Sequence, residues 1–255
     1  MPVSEFSSAE LATFRRDGYV IARGLADRAL CTEMKTVAER QLGQAIPPVE
    51  YEADVRYPGS PSSYEAPGGR TIRRLLQAYA RDPAFARWAT SASLAVRLKQ
   101  LLGPAIMLAL PHHNCVMTKQ PRYSSMTGWH QDIRYWSYQR PELVSVWLAL
   151  GRETVANGCL LVLPGTHVME FAAERLDTAQ FLRTDAESNQ ALLRAQTAVE
   201  LEPGDVLFFH CRLFHAAGRN QSADTKFSLV FTYHAADNCP LPGTRSASMP
   251  QVMLG

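Results

Sequence analysis

The chain has 255 residues, a length that suits one large domain, and its 46% apolar and 20% charged residues match an ordinary globular protein. A net charge of +2 supplies no broad basic field and argues against nucleic acid as a partner. The opening MPVSEFSSAE has neither a cationic start nor an apolar run, and no stretch nears the ~20 apolar residues of a membrane span, so neither a signal peptide nor membrane insertion is expected.

In chain order, SSAELATFRRDG opens with Ser7 and carries Glu10 three residues on, the pattern of a capping box, and Gly18 reads as a helix stop. YVIARG then reads as a short strand. A second helix is expected after Asp27, with Leu30, Met34 and Val37 at helical spacing. Residues 44–69 carry prolines, glycines, serines and tyrosines without periodicity. A loop that long in a compact domain belongs over an active-site mouth or is disordered, and both readings stay open. RTIRRLLQAYA and DPAFARWATSASLAVRLKQLLG are predicted as two further helices, closing a mostly helical N-terminal part over residues 1–104.

From residue 105 to 235 the pattern becomes that of short strands. AIMLALPHHNCVMTK, LVSVWLAL, CLLVLPGTH, DVLFFH and KFSLVFTYHA are apolar runs rich in β-branched and aromatic residues, separated by turn signals. Asn157-Gly158 reads as a hairpin turn, with positive φ at both positions. The polar, partly helical run 171–196 reads as an insertion between strands, and 236–255 as a C-terminal loop. The fold class is therefore mainly β with helical additions, a sandwich or barrel in a single domain of 255 residues. Cys31, Cys115, Cys159, Cys211 and Cys239 are odd in number, scattered and never C-x-x-C, which argues for reduced thiols and a cytoplasmic location over a disulfide framework.

The chemistry concentrates in TGWHQDIRYW. In an extended strand His130 and Asp132 project from one face with Gln131 on the other, and regular continuation adds Arg134. The pair is either a hydrogen-bonded polar face or two-thirds of a facial metal site, which needs a second histidine. Among the remaining histidines, His215 is the best candidate. It ends the run GDVLFFHCRLFH and is followed by small residues that permit close approach of a ligand. His210 reads as a polar strand residue and His167, in PGTH, as a loop stabiliser.

The blocks WHQDIRYW, VWLAL, NGCLLVLPGTH, GDVLFFH and FHAAGRNQS stand in an order and near a spacing that resembles the phytanoyl-CoA dioxygenase-like family. The resemblance is clear over about residues 105–235 and loose before them. It implies a double-stranded β-helix (jelly roll, cupin-like) core packed by N-terminal helices. The activity it implies is that of an Fe(II)- and 2-oxoglutarate-dependent dioxygenase, with His130, Asp132 and His215 as iron ligands. The co-substrates would be 2-oxoglutarate and O2, the products succinate, CO2 and a small molecule hydroxylated at an aliphatic C–H. A carboxylate at position 132 leaves no halide position of the kind related halogenases create with a small residue.

The family's arginine eleven residues after the distal histidine grips the far carboxylate of 2-oxoglutarate; here that position is Lys226, which keeps the charge and loses the bidentate fork. Ser228 lies on the same strand face, and Arg219 and Arg245 are rivals for this role. Met117, Lys119 and Trp147 match positions flanking the co-substrate, with plain core or surface as their alternative. Arg134 and Arg245 are candidates for an anionic group of the substrate. Two other readings remain: the same iron site performing desaturation, epimerisation or cyclisation, and a non-catalytic jelly roll that binds a small ligand.

Overall fold

A computed structural model describes residues 4–55, 57 and 59–255. Helix α1 (Ser8–Asp17) begins with the expected capping box: the Ser7 backbone N–H donates to Glu10 (2.8 Å) and the Glu10 N–H to Ser7 Oγ (3.3 Å). It ends at Gly18, where φ is +82° and the His167 ring lies so close that a Cβ would sit 2.5 Å from Nδ1; only glycine meets both conditions. Strand β1 (Tyr19–Ala22) and helix α2 (Arg28–Gly43), capped by Asp27 over Ala29 and Leu30, follow as read.

The next segments depart from expectation. Residues 44–69 are not structureless: β2 (Val49–Tyr51) runs into a 3-10 turn at Glu52–Asp54. RTIRRLLQAYA supplies β3 (Ile72–Leu76) and only a single turn of helix, α3 (Ala78–Arg81). Both its edges are hydrogen-bonded, to β2 on one side and to a core strand on the other, and that pairing overrides the helical spacing. The long helix expected over 82–103 breaks at Thr90-Ser91 into α4 (Pro83–Ala89) and α5 (Ala92–Leu102).

The strands that follow are β4 (Ile106–Ala109), β5 (Asn114–Lys119), β6 (Thr127–His130), β7 (Leu143–Ala149) and β8 (Leu160–Val162). Helix α6 (Glu187–Arg194) lies in the insertion. After it come β9 (Thr197–Val199), β10 (Val206–His210), β11 (His215–Ala217), β12 (Lys226–Ala235) and β13 (Gln251–Met253). Asn157-Gly158 is not a two-residue hairpin. Only Gly158 has positive φ (+76°), because Asn157 closes a 3-10 turn by accepting the Thr154 N–H (2.8 Å).

Among the described residues the strands form two antiparallel sheets. The larger has nine strands in the order β1-β10-β7-β12-β5-β3-β2, with β4 joining β12 and β13; the smaller is β6-β11-β8-β9. This is the jelly roll, with more strand in its flanks than expected: besides β1, the N-terminal part adds β2 and β3, and the C-terminal segment read as loop adds β13.

Period-2 patterning divides the large sheet. Val116, Val146, Phe208, Leu229 and Phe231 face outward and are buried under α1, α2, α4 and α5. Cys115, Trp147, Leu207, Phe209 and Val230 face inward, toward Leu160, Val162 and Ala217 of the small sheet. The helices therefore seal one face and leave the space between the sheets for the site. No helix among the described residues is long and apolar enough to cross a membrane.

Candidate active site

β6 and β11 pair antiparallel with His130 opposite His215, their rings 4.3 Å apart. The chain stays extended through Gln131 and then enters a 3-10 turn, Asp132–Tyr135, so the strand does not continue to residue 134. That turn carries the Asp132 carboxylate back to the imidazoles: Oδ1 lies 3.8 Å from His130 Nε2 and 3.6 Å from His215 Nε2. All three side chains are buried, and their ligating atoms lie within 4.8 Å of one another.

Hydrogen bonding fixes which atoms face inward. His130 Nδ1 is 2.9 Å from Gly128 O and His215 Nδ1 is 3.0 Å from Leu213 O. A carbonyl only accepts, so each Nδ1 carries the proton and each Nε2 presents a lone pair. On Asp132, Oδ2 accepts from Ser145 Oγ (3.0 Å) and has His113 Nδ1 at 3.4 Å, while Oδ1 is buried without a hydrogen-bond partner. Three electron-pair donors thus converge with no proton between them, an arrangement that a cation stabilises and that is costly otherwise. Protonation of His130 does not relieve it: burial, and then the neighbouring His215, push that imidazole down to about 3. Burial raises Asp132, but His113, His215, His130 and the Ser145 hydroxyl outweigh it and hold the carboxyl below its usual range. The set fits a divalent metal with both imidazoles neutral and the carboxylate ionised.

An inner pocket between the sheets opens onto His130 and His215 and is lined by Met117, Lys119, Trp147 and Lys226, together with Arg73 and Arg74. The structure thus brings the expected co-substrate residues together. It also adds one that the sequence did not announce, Glu153. Its buried carboxylate accepts from Lys226 Nζ (3.0 Å), Ser228 Oγ (2.6 Å) and Trp147 Nε1 (3.0 Å), and Lys226 further sits 5.0 Å over the Trp147 ring. Lys226 is therefore neither solvated nor unpaired.

Arg73 pairs with Glu52 and Arg74 with Glu50. Among the described residues Lys119 is the inner-pocket cation without a carboxylate partner. Its Nζ donates to Gly218 O (2.6 Å) and Ser125 O (3.1 Å), and burial, then the charges of Arg73 and Lys226, push it well below the ordinary lysine range. The pocket encloses only about 40 Å³, room for a water or so, so a five-carbon diacid enters only if these side chains shift.

A second cavity, of about 300 Å³, reaches His130 and Asp132 from the other side, and Val55 and Tyr57 of the long loop form part of its wall. Arg245 lines this cavity and not the inner pocket, whereas exposed Arg219 donates to Gly59 O (3.4 Å) away from both. Arg134, displaced by the 3-10 turn, lays its guanidinium over Phe181 (4.1 Å) and Tyr135 (4.5 Å). His210 accepts the Arg212 N–H (3.1 Å), and neither it nor His167 approaches the triad. Of the groups the sequence reading missed, Ser145 left a signal, a lone hydroxyl in the apolar run LVSVWLAL. Glu153 left none.

The family model for phytanoyl-CoA dioxygenase matches residues 14–228. The chain belongs to the phytanoyl-CoA dioxygenase family. Membership makes it an oxidoreductase of the dioxygenase class that uses iron, 2-oxoglutarate and oxygen. A probable phytanoyl-CoA dioxygenase from Caenorhabditis elegans is 27% identical over 184 residues, 68% of this chain and 57% of that protein, so the chain spans little more than half of that relative's length. Among solved structures, EctD from S. alaskensis with 2-oxoglutarate and 5-hydroxyectoine superposes at a TM-score of 0.75 and 23% identity, covering 96% of this chain and 82% of that one. The epimerase SnoN in complex with Fe3+, alpha ketoglutarate and nogalamycin RO gives 0.73 and 23%, covering 95% and 89%. At these identities the structural likeness establishes the fold.

Proposed function

We propose that the protein hydroxylates an aliphatic C–H of a small molecule while converting 2-oxoglutarate to succinate and CO2, with His130, Asp132 and His215 as the iron ligands. The supporting observation is the set of three convergent, unprotonated ligand atoms, each held from behind by its own hydrogen bond. Bound there, iron would supply the oxygen chemistry that no side chain provides.

The protein's own part is orientation. Gly128 O and Leu213 O hold both imidazoles in the Nδ1–H form, and Ser145 turns Asp132 so that Oδ1 faces them. In this reading Lys226 and Lys119, which line the inner pocket, receive the far carboxylate of 2-oxoglutarate, with Ser228 supporting Lys226 from behind (3.2 Å) and Met117 and Trp147 forming the pocket's walls. Phe181 packs 5.8 Å from the His130 ring and screens it from water. The five cysteines are free and four of them buried, which supports a cytoplasmic location.

Anaerobic addition of Fe(II) and then 2-oxoglutarate tests this reading. A visible charge-transfer band that needs both additions is expected, and iron binding without such a band would overturn it. Product analysis then separates hydroxylation from desaturation, epimerisation or ring closure.

A further inference from the structure

The 300 Å³ cavity beside the triad carries an uncompensated positive end. Arg245 opens a 3-10 turn (Arg245–Ala247), and among the described residues its guanidinium makes no ion pair or hydrogen bond. The next residue, Ser246, is buried and fixes the turn, its Oγ accepting the Ser137 N–H (2.8 Å) and lying 2.8 Å from His112 Nε2. The Ser246 hydroxyl has no other acceptor there, so it donates to Nε2 and leaves the proton of His112 on Nδ1. That Nδ1 is buried and unpartnered. Burial, followed by the charge of Arg245, pushes His112 down to about 3, so the ring is a neutral donor near neutral pH.

A guanidinium without an acceptor at one end of a cavity is what a bound carboxylate satisfies, and the His112 Nδ1–H, shut off from the cavity while it is empty, reaches the second oxygen once the ring turns toward it. The other cations nearby are committed elsewhere: Arg74 to Glu50 (2.9 Å), and Arg134 to the faces of Phe181 and Tyr135. Apolar surface from Trp136, Val55 and Leu76 continues from this end. Trp136 also carries the His112 ring, 5.1 Å away and tilted 33°.

We propose that Arg245 and His112 form an anion subsite for the primary substrate, a small carboxylate whose apolar body lies along Trp136 and Val55 toward His130 and Asp132. This names the substrate class for the reaction proposed above and rests on that reading for the chemistry, though not for the binding. A volume of about 300 Å³ stands at the lower end of small-molecule sites. A coenzyme A thioester would leave most of its length outside. Glu50 on the wall disfavours a more highly charged anion.

The test is calorimetric titration of the metal-free full chain with phenylacetate, cyclohexanecarboxylate and 4-methylpentanoate, each against its amide. At least one acid is expected to bind about tenfold or more tighter than its amide, a gap of about 1.4 kcal/mol. Arg245→Gln should abolish that preference, His112→Phe should reduce it, and Lys119→Met in the inner pocket should leave it intact. Arg245 is exposed, so its variant keeps the fold, which a thermal melt checks. Equal affinity of acid and amide in the wild type, no binding of any acid at millimolar concentration, or a preference that survives Arg245→Gln or vanishes with Lys119→Met would each overturn the proposal. Because no iron or 2-oxoglutarate is present, this result is independent of the charge-transfer experiment.

Discussion

Glu153→Gln separates two ways of holding 2-oxoglutarate. In the wild type, Glu153 and Lys226 form a pair 3.0 Å apart with side chains 0% and 2% exposed. Removing one partner of such a pair strands a buried charge and costs about 3–5 kcal/mol. Glutamine retains a carbonyl for the Ser228 and Trp147 donors, so the lower figure applies. For a chain of this size each kcal/mol moves Tm by about 2–4 °C, which gives a loss of about 6–12 °C.

If the far carboxylate of 2-oxoglutarate goes to Lys226, it meets Glu153 there in the wild type and restores the missing charge in the variant. The variant should then bind 2-oxoglutarate more tightly while being less stable without it. Tenfold tighter binding adds about 1.4 kcal/mol at saturation, so 2-oxoglutarate should raise Tm by about 3–6 °C more in the variant than in the wild type. The assay is anaerobic thermal unfolding with Mn(II) in place of iron, with and without 2-oxoglutarate. Equal co-substrate shifts in the two proteins would refute the Lys226 assignment and transfer the carboxylate to Lys119.

Asp132→Ala should abolish succinate formation and strongly weaken iron binding, measured by metal titration; retained turnover would remove Asp132 from the ligand set. Ser145→Ala leaves the fold intact but frees Oδ2, and a 10–100-fold loss of metal affinity is expected; unchanged affinity would mean that the 3-10 turn alone orients the carboxylate. Burial holds His210 at about 4 when folded, below its unfolded value of about 6.5, so the unfolded chain takes up the proton first. That contribution to stability is complete above pH 6.5 and lost as pH falls toward 4. Denaturant midpoints should decline across this window, less steeply in His210→Gln; a parallel decline in the two proteins would show that other groups set the slope.

The sequence exposed what depends on local pattern. The capping box at Ser7 and Glu10, the alternating strands of the core, and the three convergent side chains embedded in five ordered blocks were legible because each is written in neighbouring residues. The stretch Ile72–Leu76 was not. It has helix-compatible spacing and becomes a strand only because β2 and β5 offer it two edges, a tertiary fact absent from the local sequence. Arg134 was misplaced for a related reason. Alternation located His130 and Asp132 correctly through the one extended residue between them, but the 3-10 turn begins at Asp132 and rotates everything after it.

Glu153 was invisible for a deeper reason, and it bears on the exchange of arginine for lysine at position 226. A buried carboxylate has meaning only through the cation it meets 73 residues away, and nothing near residue 153 encodes that partner. An arginine fork at 226 would offer two parallel donors to a planar carboxylate and could serve a protein acid and a ligand acid together. A lysine ammonium is a point charge with three donors, here directed to Glu153, Ser228 and the Trp147 face. A diacid that reaches this end of the pocket must therefore displace or share a contact already made, and the narrow space around Lys226 requires the same. If the co-substrate takes Lys226, the exchange gives a pocket with two arrangements, the lysine held by the protein in one and by the diacid in the other, and the difference in free energy between them subtracts directly from the affinity for 2-oxoglutarate.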